Sequence, residues 1–254
     1  MTVGPSEFVL VLGMALAAGL VGCFAVMRKM TLASDAISHV ALPGIGLALL
    51  FHVQPSLGAI AMLLLGTLLI WAVESKTRMA TETVIGVVFS SALAIGGLFT
   101  EGEDLIEALF GKPGTPSTWE TAFGIAGSIG VTLFVLSQRY RLVIALVSRD
   151  LARTSGIEVA RLNLLFLLTF SITVALGLRY LGVLLMGSLI IIPAATAKHV
   201  AANLNSMLAL AVTIAVAATL TGMVLAQVIQ REAGPVIIAV AAGIFFLSLF
   251  KRPA

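Results

Sequence analysis

The sequence predicts an all-α polytopic membrane protein, a bundle of about nine (eight to nine) transmembrane helices with the N-terminus outside and the C-terminus cytoplasmic. Three observations predict it. First, of 254 residues 59% are hydrophobic and only 11% charged, with a mean hydropathy of +1.12. A soluble domain carries about 25% charge, and a single soluble core of this size could not hide so much apolar surface. Second, the apolar residues gather into stretches close to the roughly 20 helical residues that cross a hydrocarbon core. Third, the basic residues fall on alternate sides of those stretches. Soluble enzymes, disordered chains and coiled coils are thereby excluded. Cys23 is the single cysteine, so an internal disulfide and a thiolate metal motif are excluded too.

The stretches, in order, are 6–27, 33–52, 56–73, 83–100, 121–137, 162–178, 181–197, 206–228 and 233–250. An eight-span version with one stretch re-entrant fits the same lengths. The first is too long for a signal-peptide core and has no basic flank before it, so it reads as a retained helix. Glu82 stands at the start of the fourth, where an acid suits a helix N-terminus. With the N-terminus outside, 12 of the 15 basic residues lie inside, leaving Lys112, Arg179 and Arg231 outside. The positive-inside rule selects that orientation. Without an internal repeat or a linker, residues 1–254 read as one permeation domain.

Two loops are longer than a turn. The outer loop, 101–120, carries Glu101, Glu103, Asp104, Glu107 and Glu120 against Lys112. Its Gly111-Lys112-Pro113-Gly114-Thr115-Pro116 piece is unsuited to regular helix. It reads either as a solvated loop or as an acidic vestibule that attracts cations. The inner loop, 138–161, holds a short helix signal. Ser148 can cap it, Asp150 suits its first turn and Gly156 can end it. It is a surface connector or a docking element for a cytoplasmic partner.

Asp35 lies inside the second stretch, with His39 four residues later and Ser34 and Ser38 alongside. Spacing by four places Asp35 and His39 on one helix face, about 5–6 Å apart at Cβ. An acid at the bilayer centre costs about 2.5–3.5 kcal/mol on insertion scales, so it is expected to face protein, water or a ligand. Pro43 and Gly44, one turn on, can open the helix backbone toward a cavity, and Pro193 is a further candidate helix break. Oxygen plus imidazole suits zinc, manganese or ferrous iron. The pair reads as a transported-ion site, a proton relay or a structural hydrogen-bonded pair. Two ligands do not complete a tetrahedral site. The others would come from another helix or a symmetry-related copy. His52, at an outer end, is an outer access ligand or interfacial filler. His199 sits where a cation suits a helix C-terminus.

Met27-Arg28-Lys29-Met30 running into Ser34-Asp35-Ala36-Ile37-Ser38-His39-Val40-Ala41-Leu42-Pro43-Gly44 resembles the second-helix motif of the zinc/manganese-type (ABC-3) ABC transporter permeases. Further matches follow in order: Glu82-Thr83 through Gly86 to Ser90, Leu109-Phe110-Gly111, Asp150-Leu151-Ala152 with Gly156, Ile191-Ile192-Pro193-Ala194-Ala195-Thr196-Ala197, and Ala233-Gly234-Pro235. The resemblance spans nearly the whole chain, nearest to the zinc-uptake permeases in the Pro193 signature and the C-terminal stretch, while Pro43 is like manganese-type members. One departure stands out: Glu107 occupies a region where the family often has a histidine.

The resemblance implies a homodimeric permease in a prokaryotic plasma (inner) membrane, with transported zinc, manganese or ferrous ion and no permanently bound cofactor. It also implies a cytoplasmic ABC ATPase, an extracytoplasmic metal-binding protein and membrane lipid as partners, with no nucleic acid. Asp35 and His39 would contact the metal; Glu101, Glu103, Asp104 and Glu107, singled out by the charge of the outer loop itself, are candidates for its outer access. Arg149, Asp150, Leu151, Ala152, Arg153 and Gly156 would form the coupling helix. No G-x-x-x-x-G-K-[ST] stretch is present, in keeping with a separate motor and a chain that is not itself an enzyme. The rival reading is a proton-coupled secondary transporter or channel with Asp35 and His39 as the relay. An intramembrane hydrolase is disfavoured, because H-E-x-x-H is missing and Gly187-Ser188 lacks a placed base.

Overall fold

Backbone groups removed from water must bond within their own segment, and the apolar stretches accordingly become helices. The computed structural model describes residues 5–77, 79–99 and 117–250. Among them lie ten helices and no strand: α1 Pro5–Met27, α2 Thr31–His39, α3 Ala41–Leu50, α4 Pro55–Lys76, α5 Thr81–Phe99, α6 Thr118–Val147, α7 Arg149–Thr154, α8 Val159–Val200, α9 Leu204–Ile229 and α10 Ala233–Ser248. Six helical segments are long and apolar enough to cross a membrane. Three shorter apolar ones, Ala36–Leu50, Leu185–Val200 and Ala233–Ser248, fall on the remaining predicted stretches.

The first helix is the centre of the bundle. In α1, 78% of the apolar window is buried, against 22% in α6 at the rim. It packs on α6, α8 and α9. Between apolar helices in lipid the association is driven by close packing, which small residues permit. A Cβ on Gly19 would press on the Ala211 backbone and one on Gly22 would overlap the Ile190 carbonyl. The Cys23 thiol is buried in this contact and donates to the Met207 carbonyl at 3.6 Å. Around the rim, Leu65, Val87, Leu133, Val224 and Phe246 turn outward.

Two elements differ from the sequence expectation, and a third meets it through a glycine break. The stretch 33–52 is two helices, α2 and α3, separated at Val40. Proline has no N–H and its ring crowds the carbonyl four residues back. For Pro43 that carbonyl belongs to His39, so the interruption falls before the proline rather than at it. Pro43 itself sits in the first turn of α3, where it is tolerated.

Second, α6 runs ten residues beyond the predicted end at 137, to Val147. Its 30 residues make about 45 Å at 1.5 Å per residue, longer than a hydrocarbon core of about 30 Å. Its start is fixed by a capping box: Ser117 Oγ accepts from the Glu120 N–H at 3.4 Å, and Glu120 Oε2 accepts from the Ser117 N–H at 2.8 Å. Glu120 is therefore engaged as a cap.

Third, α8 is one helical run broken at Gly182, with φ 68° and ψ 178°, a conformation confined to glycine. Gly177 meets the Met186 side chain across the break. In a straight helix those residues would be about 13 Å apart along the axis. Two limbs therefore fold back on each other, as the separate stretches 162–178 and 181–197 anticipate.

Candidate functional site

The α2–α3 interruption gathers the residues singled out in the sequence. His39 is the last residue of α2, partly exposed, with Nδ1 shielded from solvent. Its ring packs on Phe89 of α5, centroids 5.5 Å apart and tilted by 56°. Asp35 stands one turn earlier on the same helix, with its side chain outside the described residues. Ser38 is fully buried. Val40, at the interruption, reaches toward Gly66 of α4, where an added Cβ would come within 2.6 Å of the valine methyl.

Pro43 and Gly44 fix how α3 sits. A Cβ on Gly96 of α5 would lie 3.2 Å from Pro43 Cδ, and a Cβ on Gly44 would overlap the Gly58 carbonyl of α4. A Cβ on Gly58 would overlap the Gly44 carbonyl in return. Gly44 therefore acts as a contact between two helix backbones. Just inward, Thr67 of α4 and Ser171 of α8 share a buried hydrogen bond.

Other expected metal contacts are placed differently. His52 is exposed in the turn between α3 and α4, at a positive φ of 55°, away from the interruption in sequence and at the helix end. Glu101, Glu103, Asp104 and Glu107 lie outside the described residues. Among the described residues no group of three or more His, Cys, Asp or Glu is brought together. Pro193 is buried within the second limb of α8. His199 is in the last turn of that limb.

The segment read as a surface connector or docking element has the local structure that its residues predict. Ser148 caps α7, its Oγ accepting from the Leu151 N–H at 3.2 Å. Asp150 occupies the first turn and Arg153 the last, both favourable to the helix dipole. Gly156 follows at φ 73°, and the Ile157 N–H closes on the Ala152 carbonyl at 2.9 Å. Ala152 is buried, whereas Arg149, Asp150, Leu151 and Arg153 face outward.

Sequence reasoning missed one polar group. Arg28 Nη1 donates to Asn163 Oδ1 at 2.6 Å, Asn163 Nδ2 donates to Glu74 Oε2 at 2.8 Å, and Thr81 Oγ1 donates to Glu74 Oε1 at 2.9 Å. The Arg28 guanidinium also lies 4.3 Å from the Phe166 ring centroid. Burial pushes the Arg28 pKa down to about 10, partly opposed by the Glu74 charge and reinforced by the Arg149 charge. The signal was available: Asn163 is a polar amide within an apolar stretch, and Glu74 immediately follows one.

A bundle of apolar helices, one of them interrupted beside a histidine, together with a short capped helix between spans, defines a multi-pass membrane permease. Residues 6–252 match the profile of the ABC 3 transport family, and the chain belongs to that family. It is 31% identical over 237 residues to the high-affinity zinc uptake system membrane protein ZnuB of Haemophilus influenzae, covering 91% of this chain and 90% of that one. It is 30% identical over 248 residues to the manganese import system permease protein ScaB of Streptococcus parasanguinis, covering 95% and 88%. Among solved structures, PsaBC from Streptococcus pneumoniae in complex with Fab superposes with a TM-score of 0.82 at 28% identity, covering 97% of this chain and 90% of that one.

Proposed function

We propose that the chain is the membrane permease subunit of an ATP-driven importer of divalent transition metal ions, with zinc favoured over manganese or ferrous iron. The observation that carries this reading is the interruption of a membrane helix at Val40, with His39 beside it and Asp35 one turn before. Val40 keeps helical dihedrals of φ −62° and ψ −18°, so it is the polar side chains of this turn that can replace the hydration of a cation. Imidazole and carboxylate suit zinc, manganese and ferrous iron alike. Relatives named for zinc and for manganese support metal import in common. The preference for zinc rests on the likeness of the Pro193 signature to zinc members.

The full reading comprises nine spans, with the N-terminus outside and the C-terminus cytoplasmic, forming a single permease domain in a bacterial inner membrane. A second copy meets the first near a two-fold axis, so that two Asp35 and two His39 side chains offer four ligands. The acidic 101–120 segment draws cations from a binding protein at the outer face. On the inner face, α7 docks on a separate ATPase. ATP-driven closure of that motor moves α7 and switches the permease between outward-open and inward-open states.

The test is uptake into vesicles containing the permease, its ATPase and its binding protein. ATP-dependent accumulation of zinc, with manganese and ferrous ion as competitors, supports the reading and ranks the ions. Uptake by the permease alone under a proton gradient, without ATPase, decides for the proton-coupled alternative.

A further inference from the structure

The polar group at the inner end of the bundle stands where two parts of the machine meet. Arg28 is the first residue after α1 and stands three positions before the start of α2. The α1 helix stops there in a tight cap: Lys29 adopts φ 59° and the Met30 N–H returns to the Ala25 carbonyl at 2.9 Å. The position of Arg28 therefore sets where α2 begins, and α2 carries Asp35 and His39.

The partners of Arg28 lie on the other side of that junction. Asn163 and Phe166 belong to the first turns of α8, which follows α7 after Ser155–Glu158. The first turn of α8 is held again by Trp71 of α4, whose Nε1–H donates to the Ala160 carbonyl at 3.0 Å. Glu74 extends the same bonds to the end of α4 and, through Thr81, to the start of α5. α5 in turn supplies Phe89 to His39. A displacement of α7 thus has a short route through side chains to both helices that meet at the His39 ring.

We propose that Arg28, Asn163 and Glu74 form a mechanical latch that carries movement of α7 to α2, making them positioning residues for transport rather than contacts of the ion. The latch rests on the importer reading given above. Its chemistry suits the task. Asn163 spends its oxygen on the cation and its amide on the carboxylate, so a shift of α8 must move or release both ends together. A half-buried polar chain with every member engaged has few alternative arrangements, which is what a two-state coupling element requires.

The test uses the complete complex with its ATPase and binding protein in lipid vesicles. In a Cys23→Ala background, Ala36→Cys places a reporter on α2, and its rate of maleimide labelling is read with and without ATP. With the latch intact, ATP changes that rate. Asn163→Ala is expected to shrink the change at least about fivefold, the lower end of measured coupling effects. Glu74→Gln, with Asn163 in place, keeps an acceptor for it and is expected to retain most of the change. An undiminished ATP response in Asn163→Ala, or no response with the latch intact, overturns the proposal. If Asn163→Ala does not assemble, Asn163→Ser takes its place under the same two outcomes. Zinc and manganese uptake is read in the same vesicles. Failure of ATP-driven uptake there counts against the importer reading, while the labelling result bears on the latch alone.

Discussion

The His39 ring lies against Phe89, with centroids 5.5 Å apart and planes tilted by 56°. This contact joins the last residue of α2 to the middle of α5. It packs the imidazole beside the helix interruption; in the proposed function His39 is a metal ligand, and groups that orient such a ligand matter nearly as much as the ligand.

Phe89→Ala is therefore expected to weaken zinc affinity about tenfold, in the range seen when a ligand loses its supporting contact. Phe89→Leu, which still fills the space, should lose less. Calorimetric titration of the purified permease complex checks both.

The backbone contact between Gly44 and Gly58 is expected to tolerate no side chain. Gly44→Val or Gly58→Val should lower stability by about 1–3 kcal/mol or more, as overpacking of a close contact does. Gly86 of α5 has open space where its Cβ would be, so Gly86→Ala should leave stability unchanged or raise it by up to about 1 kcal/mol through helix propensity. Thermal melting in detergent distinguishes the two sites.

Ser148→Ala removes the cap of a six-residue helix, a loss of about 1 kcal/mol that so short a helix absorbs poorly. Co-purification of the ATPase should fall in consequence. Leu151 is 52% exposed at the same helix, and Leu151→Asp should reduce co-purification further while the permease still inserts at normal levels.

Arg28 gives a pH prediction. Burial pulls its pKa from the ordinary guanidinium range down to about 10, so the folded state binds fewer protons only from about pH 10 up to that ordinary range. In that window stability rises with pH. Below it the group is charged in both states and its contribution does not vary. Arg28→Gln should therefore leave the shape of the melting-temperature profile unchanged between about pH 6 and 9, whatever it does to the level. Melting curves across that range check it.

Much of this was legible in the sequence, for reasons that differ by element. The apolar stretches became helices because lipid leaves the backbone no alternative, and α7 is legible because a cap, a first-turn acid and a terminal glycine act locally. The break at Val40 was placed too late: Pro43 acts on the carbonyl four residues before it, so the proline marks the consequence only indirectly. The capping role of Glu120 was hidden by its acidic neighbours. The Arg28–Asn163–Glu74 group joins residues up to 135 positions apart, and no local pattern announces such a meeting.

The most direct measurement is ATP-dependent zinc uptake by cells relying on this permease, with Asp35→Asn or His39→Ala expressed at the level of the unsubstituted protein and the ATPase still bound. The account predicts uptake near background in both variants. Uptake equal to that of the unsubstituted protein in both would contradict it.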